Sequence, residues 1–173
     1  MKKGDEYYLS GNHVKAVKEW SIVAKQGSEE AQLKLGSVYR FGEKGVSRNI
    51  NKAIKWLTLA AENGNEYAQY NLGQIYQLEI NVVDYKLAAK WYLLGAENGN
   101  AFSQFKLGTL YIEGKGVSKN LKYAHMWLNL SGVQGNYRAI KKRISVQHKL
   151  STSELKLARR LANQCLQKNF KSC

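Results

Sequence analysis

The chain has 173 residues, 44% of them hydrophobic, and a formal net charge of +14 at pH 7. That much apolar material supports a buried core in one domain, or in one array of small units, and excludes an intrinsically disordered chain. No run of eighteen apolar residues occurs, which excludes a helical membrane span, and the absence of proline beside 15 glycines favours helices joined by glycine turns.

The opening "MKKGDEYYLSGN" has lysines but no apolar stretch behind them, so it does not read as a signal peptide, and the chain as given is expected to be soluble. Next comes a helical segment ending in Trp20. Tryptophans recur at 56, 91 and 127, at steps of 36, 35 and 36 residues, and Gly27, Gly64, Gly99 and Gly135 follow at nearly the same step. The phrase "WLTLAAENGN" from Trp56 returns as "WYLLGAENGN" from Trp91 and in weaker form as "WLNLSGVQGN" from Trp127. Such a period marks a helical solenoid, and the four tryptophans, with Tyr39, Tyr76 and Tyr111, are expected to be core.

Interleaved with it is a second phrase, "AQLKLGSVY" from Ala31, "AQYNLGQIY" from Ala68 and "SQFKLGTLY" from Ser103. Ala31, Leu35, Val38 and Tyr39 fall on one helical face, and the glycine at the sixth position admits a close neighbour. This is helix A of each unit. Helix B carries Ala53, Ile54, Trp56, Leu57 and Ala60 as its apolar stripe, with Asn49, Asp84 and Asn120 as N-caps and the glycine of "ENG" or "VQG" as its stop. The linkers "FGEKGVSRN" and "EGKGVSKN" read as glycine-rich loops. In the third unit "QLEINVVD" has no glycine; one of its valines is expected to replace the buried valine of "GV", and the others are read as local repair of a shorter loop, with an exposed contact point as the alternative.

These residues resemble Sel1-like repeats, helical repeats related to tetratricopeptide repeats: "LGxxY", then "GxGV", then a tryptophan-bearing helix with "AAENG", and "AQ" opening the next unit. The expected architecture is an all-α, right-handed solenoid of antiparallel helix pairs spanning 1–173. Its units fall at about 3–30, 31–67, 68–102 and 103–138, with a cap at 139–173. Within the cap, "STSELKLARRLANQCLQKNF" holds a capping box, Ser151 with Glu154, and an apolar stripe of Leu155, Ala158, Leu161, Ala162 and Cys165.

The charge is uneven, because residues 139 to 173 hold nine Lys or Arg against one acid, net +8. Lys141, Lys142, Arg143, Arg159 and Arg160 form a basic patch. A solvated outer face is favoured over nucleic-acid binding, since no aromatic residue interleaves these charges in the sequence. An acidic protein partner, or anionic lipid headgroups, would suit the charge equally well. Cys165 and Cys173 are read as a disulfide if the end of the terminal helix turns back, and otherwise as two unrelated thiols; their spacing does not fit a zinc site. His13, His125 and His148 lie in different units, and no HExxH, GxSxG, phosphate loop or paired carboxylate motif appears. No enzyme, cofactor or metal is expected.

Function is therefore expected on the surface of the A helices. With positions 1, 5, 8 and 9 turned inward, positions 4, 7 and 11 face out: Lys34, Ser37 and Phe41, then Asn71, Gln74 and Leu78, then Lys106, Thr109 and Glu113. This polar stripe with two apolar anchors, on the concave face, is the expected docking surface for another protein, with local packing of Phe41 and Leu78 under the A–B loops as the alternative. The resemblance implies an exported bacterial protein, periplasmic or secreted, with the cytoplasm as the alternative. It also implies a partner class: a secreted toxin such as a phospholipase, neutralised by this chain as an immunity protein, or a partner in envelope assembly or virulence for which the chain is an adaptor. Nucleic-acid binding and hydrolase activity are the remoter readings.

Overall fold

A computed structural model describes residues 2–173. Ten helices account for the regular structure among them: α1 (Lys2–Leu9), α2 (His13–Lys25), α3 (Glu29–Phe41), α4 (Ile50–Glu62), α5 (Glu66–Leu78), α6 (Tyr85–Glu97), α7 (Ala101–Glu113), α8 (Leu121–Val133), α9 (Tyr137–Gln147) and α10 (Thr152–Gln167). None is long and apolar enough to cross a membrane. The chain divides into two compact units, Met1–Ile75 and Tyr76–Cys173. In the first, α1 packs on α2, α2 on α3 and α3 on α4; in the second, α6 packs on α7, α7 on α8, and α8 on both α9 and α10.

Helix starts follow the sequence closely. Asn49, Asp84 and Asn120 each sit in extended backbone and accept hydrogen bonds from amides in the first turn of α4, α6 and α8. Ser28, Asn100 and Asn136 cap α3, α7 and α9 in the same way. Side-chain oxygens thus satisfy donors that a helix start leaves open. In α10 the Ser151 hydroxyl accepts from the Glu154 amide and the Glu154 carboxylate accepts from the Ser151 amide, completing the capping box.

The glycine of "LG" is a packing residue. A Cβ on Gly36 would stand 2.4 Å from Cγ of Leu57, and one on Gly108 would stand 2.9 Å from Cγ of Leu128, so helices A and B approach each other where only hydrogen fits. The glutamine of "AQ" or "SQ" has its own repeated bond. Gln32 donates to the carbonyl of Ala24 at 3.0 Å, Gln69 to that of Ala61 at 2.9 Å and Gln104 to that of Ala96 at 3.2 Å. Each buried amide adds a second donor to a carbonyl in the last turn of the preceding helix B, which also accepts from the amide of Gly27, Gly64 or Gly99.

Trp20 and Trp127 are core, as expected. Trp56 and Trp91 are only half-buried, and Trp56 flanks the first unit's core instead of filling it. The buried stripe of α4 is alanine and leucine (Ala53, Leu57, Ala60, Ala61), and α6 buries Tyr92 one position past its tryptophan. Tyr39, Tyr76 and Tyr111 are likewise half-buried.

The glycine-free α5–α6 loop reaches the same end as its relatives. Asp84 donates its amide to the Tyr76 carbonyl at 2.8 Å, as Asn49 does to Tyr39 at 2.7 Å and Asn120 to Tyr111 at 2.9 Å. Val82 is half-buried there, while Ile80 is 90% exposed. Repair therefore describes the backbone and Val82 and leaves Ile80 in solvent. At the C-terminus, Cys165 and Cys173 come together in disulfide geometry with Cα atoms 5.2 Å apart. The intervening turn lays the Phe170 ring over Gly99 and lets Lys171 donate to Asn98.

Candidate interaction surface

In the first unit a cleft of about 390 Å³ opens along α1, α2 and α3, lined by Asp5, Tyr8, Leu9, Trp20, Leu33, Lys34, Ser37 and Val38. Its walls are mostly apolar, and Leu9 at the rim is 86% exposed. Concave, apolar and carrying a few fixed polar groups, it has the make-up of a site that receives a side chain from another molecule.

Those polar groups are tied to one another. Lys34 donates to Asp5 at 2.7 Å and also pairs with Glu30 at 2.8 Å; the Trp20 indole N–H donates to the same Asp5 oxygen at 2.9 Å. Hydrogen bonding from Lys34 outweighs desolvation and holds the Asp5 carboxyl below its ordinary range. Burial works against the Lys34 ammonium, but the bonds to Asp5 and Glu30 overcome it and raise its pKa. Behind the cleft, Glu43 accepts from the Tyr8 hydroxyl at 3.0 Å and faces His13 at 3.4 Å, which fastens the α3–α4 loop to α1 and α2. The same carboxylate raises the Tyr8 pKa.

Farther along, Arg40 is buried and donates to Asn71 and Gln74, both at 2.8 Å, while its guanidinium stands 4.8 Å from the Phe41 ring centre. Asn71 also donates to the Tyr67 carbonyl, and Gln74 to the Tyr70 hydroxyl. These two amides, expected to face a partner, spend much of their capacity inside the molecule. Phe41 is 67% exposed in the first unit and Leu78 57% exposed in the second; neither is covered by its A–B loop.

In the second unit, Lys106 is half-buried, and Glu113 is exposed and paired with Lys115 at 3.0 Å. Thr109 does not face out: it is buried, and its hydroxyl donates to the Phe105 carbonyl. The basic patch divides. Arg143 is half-buried and donates to Asn129 at 2.6 Å, so it ties α9 to α8 and does not stand free in solvent. Folding also supplies the aromatic neighbours that the linear sequence withheld, with Lys141 4.8 Å from the Tyr137 ring centre and Lys142 5.8 Å from that of Phe105. Arg159 and Arg160 are exposed on α10.

Sequence reasoning missed the α1 wall of the cleft. The signal was present, for Asp5, Tyr8 and Leu9 stand at helical spacing on one face, but α1 is a shortened helix A that lacks the "AQ" phrase marking its later counterparts. Arg40 was missed because its burial depends on acceptors more than thirty residues away. His125 is buried, and neither ring nitrogen has a hydrogen-bond partner among the described residues. Among those residues no three His, Cys, Asp or Glu side chains gather as a metal site.

Comparison with known proteins agrees with this geometry. The Sel1 repeat family model matches residues 29–65, 66–100 and 101–136. A Sel1 repeat protein from Oxalobacter formigenes is 34% identical over 74% of this chain and 96% of its own, with a TM-score of 0.66. A protective antigen of uropathogenic Escherichia coli with an SLR fold is 26% identical over 91% of this chain, with a TM-score of 0.66; the match spans 43% of that longer protein. An immunity protein from Pseudomonas aeruginosa is 19% identical over 98% of this chain and 83% of its own, at a TM-score of 0.42, a likeness too distant to carry an argument. No curated protein matches the chain. Its repeats, caps and helix pairs make the chain a member of the Sel1 repeat family.

Proposed function

We propose that the chain docks another protein, and that the α1–α3 cleft receives an apolar side chain of that partner. Sel1 arrays are typically non-catalytic interaction modules. The observation that carries the reading is the exposed Leu9 beside Tyr8, Leu33 and Val38 in a cleft whose ion pair is already satisfied. A preformed surface loses little ordering entropy on binding, and Phe41 adds a further exposed contact on α3.

The finer reading is that the partner is a secreted toxin such as a phospholipase, held inactive by occlusion of its substrate surface, with this chain as the immunity protein in the periplasm or outside the cell. The cysteine pair supports an oxidising compartment. An envelope or virulence adaptor is the alternative, favoured if the captured protein has no toxic activity.

Capture from the chain's own cell extract and secreted fraction tests both levels. Wild-type bait is expected to retain one protein in stoichiometric amount, and Leu9→Glu bait to lose it, since a charge on an exposed rim residue alters the cleft without touching the core. Retention by both baits would remove the cleft from the account. For the finer reading, fatty-acid release by the captured protein should fall as this chain is added to equimolar amount; unaffected release would leave the adaptor.

A further inference from the structure

The terminal helix α10 is used on one side only. Ala158, Ala162 and Cys165 are buried, while a shallow, open groove along the other side is lined by residues of α10 alone, Ser153, Lys156, Leu157, Arg159, Arg160, Asn163, Gln164 and Gln167. It shares no residue with the α1–α3 cleft. Three cations and three amides line it without an acid. Glu154, the one carboxylate in residues 139 to 173, is engaged by the Ser151 amide and hydroxyl at the helix start.

We propose that this groove is a second binding surface, which takes a short extended acidic segment of a polypeptide. Charge complementarity sets the sign: Lys156, Arg159 and Arg160 need carboxylates or phosphates opposite them. The amides choose between those. Asn163, Gln164 and Gln167 each offer donors and an acceptor, which matches a peptide backbone, whereas a phosphate backbone offers acceptors alone. No aromatic residue occurs in α10, so bases would find nothing to stack on, and the exposed Tyr137 ring near the basic patch already has Lys141 against it. Length agrees: the helix from Ser153 to Gln167 rises about 21 Å, which an extended segment of roughly six residues spans. The inference goes beyond the docking reading and stands without it, because variants on α10 leave the α1–α3 cleft intact.

Fluorescence anisotropy on the full chain decides it. The probe is a labelled peptide of alternating glutamate and alanine, set against oligothymidylate of equal charge and vesicles containing phosphatidylserine. The peptide is expected to bind more tightly than either. Lys156→Gln with Arg160→Gln should weaken it about tenfold and Asn163→Ala with Gln167→Ala about threefold, while Lys141→Gln with Lys149→Gln, an equal loss of charge on exposed residues elsewhere, changes it less than about twofold. The proposal is overturned if the peptide does not bind, if the remote pair weakens it as much as the groove pair, if the amide variant has no effect, or if oligothymidylate or vesicles bind as well as the peptide.

Discussion

His125 is where a single residue governs a measurable property. Burial, together with the positive charges of Arg143 and Arg159, pushes its pKa from 6.5 down to about 4. Between those values the unfolded chain binds a proton that the native state refuses, so this contribution is complete above pH 6.5 and is lost as the pH falls toward 4. Denaturant titrations at pH 7 and pH 4.5 should show an acid-side loss of about 2 kcal/mol in the wild type that largely disappears in His125→Leu; equal acid sensitivity in both proteins would place the titrating group elsewhere. The repeat glutamines form a second residue-scale case. Gln104→Leu removes one donor from the Ala96 carbonyl, which keeps the Gly99 amide, and takes the Gln104 acceptor from Gln134, and a loss of about 1 kcal/mol in chemical unfolding is expected.

At the scale of elements, the closest approaches are between helices A and B. Gly36→Ala sets a methyl group against the fully buried Leu57 and should lower stability by about 2 kcal/mol, read as a shift in unfolding midpoint at constant slope. At the other end, reduction of Cys165–Cys173 frees the turn that holds Phe170 over Gly99; the second unit is expected to lose about 2 kcal/mol, and Cys173→Ser should reproduce the loss without reductant. Helices, caps and the "LG" approach were legible in the sequence because each rests on contacts within a repeat, and the period repeats the signal. Thr109 and Arg143 were misread for the opposite reason. Packing around α7 buries the first, and a partner on α8, Asn129, captures the second; neither leaves a periodic trace.

At the scale of the whole molecule, charge and cleft are unevenly distributed along the chain. The excess positive charge gathers at its C-terminal end. Within the first compact unit, α1, α2 and α3 together form a cleft, a feature the periodic reading of positions 4, 7 and 11 placed only through Lys34 and Ser37. Hydroxyl-radical footprinting of the captured complex against the free chain tests the central claim most directly, because Leu9 is 86% exposed and oxidises readily when nothing covers it. A several-fold fall in oxidation at Leu9 and Leu33, with Ile80 as reactive as before, is the result predicted. Unchanged reactivity at Leu9 with protection at Ile80 would contradict it and move the docking surface to the α5–α6 loop.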